Sequence, residues 1–128
     1  MKKKIVILGS TGSIGKNLIK IISNDKKNFE IILLSANKNY STLLNQAKKF
    51  NVKNLIITNK KSYEILQKKN KKKKYNIYNN FENFNKILKK RVDYTMSSIT
   101  GLDGLIPTIE IIKHTKKIAI ANKEAIIC

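Results

Sequence analysis

Ile5-Val6-Ile7-Leu8-Gly9-Ser10-Thr11-Gly12-Ser13-Ile14-Gly15 is an apolar run that breaks into three glycines and leads straight into the amphipathic stretch Lys16 to Ser23. A strand turning tightly into a helix aims the unbonded N–H groups of the first helical turn beyond the strand end, where nucleotide phosphates fit. Gly9 is expected to let the chain leave the strand sharply. Gly12 removes the Cβ that would block phosphates, and Gly15 is expected to bring the helix close to the sheet. The spacing, GxxGxxG, is a variant of GxGxxG. Glycine triplets also mark ordinary turns, so context decides. Here Leu18, Ile19, Ile21 and Ile22 follow as one face of a helix, which favours dinucleotide binding. A P-loop would need Gly where Ser10 stands and Ser or Thr where Asn17 stands, and both positions fail.

Outward from that turn, strands and helices alternate. Phe29 to Ala36 is a second strand-length run, and Ser41 is placed to cap a helix through Lys49 with Leu43, Leu44, Ala47 and Phe50 at helical spacing. Asn54 to Thr58 reads as a third strand and Ser62 to Lys69 as a helix. The polar stretch from Lys68 to Asn80 holds the short apolar pair Ile77-Tyr78, a candidate small strand, before a helix marked by Phe81, Phe84, Ile87 and Leu88. Val92 to Met96, a helix within Gly101 to His114 with Pro107 in its first turn, and Lys117 to Ala121 complete the pattern. Such alternation predicts an α/β fold, a doubly wound, mainly parallel sheet with helices on both faces. Ligands then bind beyond the carboxyl ends of the strands, where Gly9 to Gly15, Ala36 to Asn39 and Asn122 to Glu124 should meet.

With 128 residues and 41% hydrophobic content the chain can bury the core of one domain, here residues 1–128. No apolar run approaches the roughly eighteen residues of a membrane span, and the basic start Met1 to Lys4 leads into too short an apolar run for a signal peptide. Cys128 is the sole cysteine, which excludes a disulfide framework and Cys/His zinc spacing. The net charge of +19 ordinarily points to nucleic acid or an anionic membrane. The excess is almost all Lys, with Arg91 the only arginine, and it accompanies heavy use of Asn and Ile, as AT-rich coding sequences produce. Arginine is the preferred base-reading residue, so specific readout is not expected. The run Lys68 to Lys74, broken only by Asn70, reads as a solvated loop.

An acidic residue at the end of the second strand would hold an unphosphorylated ribose, and a cation there favours a 2′-phosphate. This chain places Asn37-Lys38-Asn39 at that point and has no Asp or Glu between Glu30 and Glu64. NADPH is therefore expected over NADH, with Ser35 and Asn39 able to add uncharged hydrogen bonds.

Gly-Ser-Thr-Gly-Ser-Ile-Gly at 9–15, Ala-Asn-Lys-Asn at 36–39, Gly-Leu-Asp-Gly-Leu-Ile-Pro-Thr at 101–108 and Ile-Ala-Asn-Lys-Glu at 120–124 occur in the order and at the separations of the 1-deoxy-D-xylulose 5-phosphate reductoisomerase family. The chain resembles the N-terminal, Rossmann-like NADPH-binding domain of that family over essentially its whole length. The resemblance implies that Gly9, Thr11, Gly12, Ser13 and Ile14 lie along the NADPH pyrophosphate and that Asn37, Lys38 and Asn39 hold the 2′-phosphate. It implies further that Asn122 and Glu124 lie along the nicotinamide half and that Lys123 reaches the sugar-phosphate substrate. The family usually has Gly where Asn37 stands. Asn tolerates positive φ better than most residues, and its side chain would extend toward the adenosine.

In the family a divalent metal, Mg or Mn, chelates the substrate, a carbon–carbon bond migrates, and NADPH reduces the resulting aldehyde to 2-C-methyl-D-erythritol 4-phosphate for non-mevalonate isoprenoid synthesis. The Asp-Ser-Glu-His element supplying metal ligands follows the Asn-Lys-Glu segment, and the eight acidic residues here offer no substitute cluster. Asp93 and Asp103 are better read as serving a strand start and a helix cap. The expectations are that this chain alone is inactive, carries no metal site and no catalytic residue of its own, and that the complete enzyme is a homodimer. A bacterial cytoplasm is expected, with a plastid left open, and neither nucleic acid nor membrane is an expected partner.

Two alternatives stand beside this reading. A short-chain dehydrogenase needs Tyr-x-x-x-Lys, and none of Tyr40, Tyr63, Tyr75, Tyr78 or Tyr94 has Lys four residues later. A basic nucleic-acid-binding module predicts affinity that collapses with salt and ignores NADPH. His114, late on a helix, reads as complementing the negative end of the helix dipole.

Overall fold

The computed structural model describes residues 2–99 and 104–120. Six strands form one parallel sheet: β1 (Lys3–Leu8), β2 (Phe29–Ala36), β3 (Asn54–Ile57), β4 (Asn76–Tyr78), β5 (Val92–Ser97) and β6 (Thr115–Ile120), in the spatial order β4-β3-β2-β1-β5-β6. The apolar runs of the sequence are these strands because parallel sheets bury both faces and so select continuous Ile, Val and Leu. The Ile77-Tyr78 pair is a true strand, β4, one residue longer than the pair itself.

Among the described residues, five helices cover the sheet: α1 (Ser13–Ser23), α2 (Tyr40–Phe50), α3 (Lys60–Lys69), α4 (Phe84–Ile87) and α5 (Leu105–Ile111). Ile19 and Ile22 of α1, Leu43 and Ala47 of α2 and Leu66 of α3 pack with Ile5, Ile7, Leu34, Leu55 and Ile57 on one face. Phe84 of α4 and Ile111 of α5 pack with Val6, Leu8, Leu33 and Ile56 on the other. The fold is thus the doubly wound α/β arrangement. Leu33 and Leu34 are fully buried on opposite faces, so truncating either to Ala would cost about 2–5 kcal/mol.

A register shift between Ile5 and Val6 pairs Ile5 with Ile31 but Val6 with Leu33, leaving Ile32 as an extra residue in β2. This bulge reverses the strand's alternation, so Ile31 and Leu34 face the same core.

Several element boundaries differ from the sequence expectation. The cap of α2 is Asn39, whose Oδ1 accepts the Thr42 N–H at 3.1 Å, and the helix begins at Tyr40 instead of after Ser41. Asn59 caps α3 in the same way through Ser62 N–H at 2.9 Å, which starts that helix two residues early. The expected helix around Phe81 to Leu88 is one turn, Phe84–Ile87. Of the stretch from Gly101 to His114, residues 101–103 lie outside the described residues, and the remainder is α5 with Pro107 in its first turn, followed by a 3-10 turn at Ile112–His114. The lysine run after α3 is exposed as expected, with Lys73 in the left-handed region at φ +49°.

Candidate functional site: the cleft beyond the strand ends

The chain winds from β1 to β2 on one side and returns to β5 on the other, so the sheet's winding reverses at β1. The loops leaving β1, β2 and β5 diverge there and open a crevice. A cleft of about 680 Å³ occupies it, walled by Gly9, Thr11, Gly12, Asn37, Thr58 and Ile99 among others. The first strand exit and the second therefore meet, as expected. The third expected segment, Asn122 to Glu124, lies outside the described residues.

The glycine turn has distinct tasks at its three glycines. Gly9 takes φ +78°, a conformation that disfavours side chains, and a Cβ there would press within 3.0 Å of the Ser98 backbone. Gly12 precedes α1 as its cap residue, and a Cβ there would meet only the Gly9 carbonyl oxygen, in ordinary contact at 3.8 Å. Gly15 is buried, and its close neighbours are the backbones of Gly9 and Ser10. Its role is to let α1 close onto the turn itself, a tighter constraint than the helix-to-sheet approach read from the sequence.

Hydrogen bonds hold this turn from two sides. From β2, Ser35 accepts the Gly9 N–H on Oγ at 2.9 Å and the Ser10 N–H on its carbonyl at 2.8 Å. From α2, Gln46 Nε2 donates to Ser10 O at 2.9 Å, and Ser10 Oγ donates to Gln46 Oε1 at 2.7 Å. From β5, Ser98 Oγ lies 3.0 Å from Leu8 O and 2.9 Å from Gly9 O, and its N–H donates to Leu8 O. Among the described residues, by contrast, the amides of Thr11, Gly12, Ser13 and Ile14 have no protein acceptor, and α1 has no side-chain cap and no acidic residue in its first turn. A helix start with unbonded donors and an uncompensated positive end is an anion site in waiting.

Ser10 and Gln46 escaped the sequence reading as site residues, and Ser35, expected to bond the cofactor, is buried with its Oγ accepting the Gly9 N–H. The one available signal was Gln46, which stands three residues after Leu43 and one before Ala47, on the buried stripe of α2. A polar residue on such a stripe needs a partner inside.

At the end of β2, Asn37 does not use positive φ, and its exposed side chain lines the cleft. Thr58 Oγ1 donates to Asn37 Oδ1 at 3.2 Å, and Asn59 N–H donates to the Asn37 carbonyl at 2.9 Å. These bonds tie the ends of β2 and β3 together and leave Asn37 Nδ2 as a donor facing the cleft side. Lys38 is exposed at the foot of α2, and its carbonyl accepts the Tyr40 N–H. Asn39 is committed on Oδ1 to capping, which leaves its Nδ2 as the donor available to a ligand. Ser13 and Ile14 are exposed on the first turn of α1.

Asp93 lies at the opposite end of the sheet, where its carboxylate accepts the Lys4 N–H at 2.8 Å and pairs with Lys116 Nζ at 3.3 Å. The Lys4 N–H is the main reason its pKa is lowered; Lys116 adds to this, while burial opposes it. Asp103, its supposed companion, lies outside the described residues. His114 ends the 3-10 turn after α5 with its ring 6.1 Å from that of Phe84. Among the described residues no three His, Cys, Asp or Glu side chains are grouped to hold a metal ion, and no helix is long and apolar enough to cross a membrane.

Comparison with known proteins supplies independent evidence. The family model for 1-deoxy-D-xylulose 5-phosphate reductoisomerase matches residues 5–128. A 1-deoxy-D-xylulose 5-phosphate reductoisomerase of Pelagibacter ubique is 56% identical over 128 residues, covering 98% of this chain and 33% of its own length. One from Buchnera aphidicola subsp. Schizaphis graminum is 42% identical over 130 residues, with 98% and 32% covered. Among solved structures, the Zymomonas mobilis enzyme in complex with NADPH superposes with a TM-score of 0.87 at 28% identity, covering 98% of this chain and 33% of that one. A reductoisomerase in complex with NADPH, fosmidomycin and magnesium gives 0.85 at 28% identity, with 97% and 31% covered. The chain spans about a third of the length of the curated relatives it matches.

Proposed function

Because the chain belongs to the 1-deoxy-D-xylulose 5-phosphate reductoisomerase family, we propose that residues 1–128 are its NADPH-binding domain. The observation that carries the proposal is the set of unbonded amides from Thr11 to Ile14 at the rim of the cleft. They would take the pyrophosphate, with Gly12 giving it room and Gly9 shaping the turn against Ser98. Lys38, with the Nδ2 groups of Asn37 and Asn39, would hold the 2′-phosphate.

Asn122 and Glu124 are assigned to the nicotinamide half and Lys123 to the substrate by the family resemblance. When bound, NADPH supplies the hydride that reduces the rearranged sugar phosphate. The protein's part would be to fix the cofactor by its phosphates, through the amides of Thr11 to Ile14 and the residues around Lys38.

The complete enzyme is proposed to convert 1-deoxy-D-xylulose 5-phosphate to 2-C-methyl-D-erythritol 4-phosphate as a cytoplasmic bacterial homodimer with Mg or Mn. The described residues do not fit that metal, since no carboxylate or histidine cluster is present among them. No step of the reaction is assigned to a metal bound by them.

Titration of the purified chain with NADPH and with NADH at moderate salt tests the proposal. Tighter binding of NADPH is expected. Equal affinity for both cofactors would remove the phosphate role of Lys38, and binding of neither would remove the domain assignment.

A further inference from the structure

We propose that Gln46 is a positioning residue for the cofactor pyrophosphate, acting through Ser10 and never touching the ligand; this deepens the NADPH reading and rests on it. Ser10 is fully buried, and Gln46 nearly so. A single planar carboxamide engages two atoms of the same residue, donating from Nε2 to Ser10 O at 2.9 Å and accepting from Ser10 Oγ at 2.7 Å.

The Ser10 carbonyl and the Thr11 N–H belong to one peptide plane and point in opposite directions across it. Holding that carbonyl against α2 therefore turns the Thr11 N–H away from α2. Thr11 lines the cleft and its amide has no protein acceptor among the described residues. Gln46 thus sets the aim of the first donor in the anion site.

A carboxamide supplies both needs in one small group, a donor for the carbonyl and, at 2.7 Å, a closer acceptor for the hydroxyl than Ser35 O at 3.3 Å. A carboxylate would set a lone pair against Ser10 O. An apolar side chain would leave two buried polar atoms of Ser10 without this partner, and the plane free to tilt. The same helix is capped by Asn39, so α2 joins the proposed 2′-phosphate end of the site to the pyrophosphate end.

The test compares NADPH with adenosine 2′-monophosphate, which carries the 2′-phosphate but no pyrophosphate, on the unsubstituted chain and on Gln46→Leu. The expected result is about tenfold weaker NADPH binding with adenosine 2′-monophosphate affinity within about twofold of the parent, since misaim of a donor is felt only by the group it faces. Unchanged NADPH affinity in a folded Gln46→Leu chain would overturn the proposal. Equal weakening of both ligands would do so too, by showing a general loss of structure. If circular dichroism shows that Gln46→Leu does not fold, Ser10→Ala removes only the hydroxyl arm, and about threefold weaker NADPH binding is expected with adenosine 2′-monophosphate unaffected. Parent-like NADPH binding there would equally overturn it. Failure of the unsubstituted chain to bind NADPH removes the underlying reading instead.

Discussion

A side chain on Gly15 would overlap the carbonyl oxygen of Gly9 and come within 2.6 Å of Ser10 Cα, whereas one on Gly12 meets nothing nearer than that same Gly9 oxygen, at 3.8 Å. Two glycines three residues apart therefore serve different ends. One is required by the protein's own backbone and the other by the space in front of it.

Gly15→Ala is accordingly expected to lower stability by about 1–3 kcal/mol, because backbone in the way cannot rotate aside as a side chain can. Gly12→Ala, at φ −75° and ψ 175°, should stay within about 0.5 kcal/mol of the parent in stability and yet lose NADPH affinity. Urea unfolding and a fluorescence titration on both variants separate the two. A Gly12→Ala chain that binds NADPH like the parent would show that phosphates do not approach there.

Charge reversal at Lys38 addresses cofactor choice. Lys38→Glu should weaken NADPH by about 10- to 100-fold, the worth of a charge-assisted hydrogen bond, while moving NADH little. Lys38 is exposed, so the substitution leaves the core untouched, and a parallel loss for both cofactors would point away from the 2′-phosphate.

The caps of α2 can be told apart by substitution. Asn39→Ala should cost about 1 kcal/mol through loss of the bond from Thr42 N–H, and Ser41→Ala, on the exposed first turn, should be close to neutral. Denaturant midpoints measured side by side decide between the two residues, and the reverse ranking would restore Ser41 as the cap.

Asp93 gives a pH dependence with a definite sign. Its folded pKa lies below the ordinary 3.8, chiefly through the Lys4 N–H and also through Lys116. A depressed pKa contributes stability above the unfolded value, and that contribution fades as pH falls through the folded one. Asp93→Asn should therefore be less stable than the parent at about pH 6, with the gap narrowing toward about pH 3. A gap that widens in acid would contradict the assignment.

Much of this architecture was legible from residue order. Continuous Ile, Val and Leu marked the strands, and the three glycines after Leu8 located the crevice at the centre of the sheet. Legibility failed where two residues of one chemical kind compete. Asn39 and Ser41 are both good caps, and only the backbone's turn at Asn39 selects between them. It failed again where a polar residue works inward. Ser10, Ser35 and Gln46 look in sequence like turn, strand and surface residues, because their partners stand 25 to 36 positions away. The bulge at Ile32 was equally hidden, since an uninterrupted apolar strand carries no alternation for it to break.

Ser35 and Gln46 on one flank and Ser98 on the other grip the glycine turn before any ligand arrives. The entropy of ordering its donors is thus spent when the chain folds and not at each encounter. Cofactor capture should then follow simple second-order kinetics, its speed governed by diffusion, orientation and the attraction between polyanion and lysine-rich surface, with no slow loop rearrangement in between.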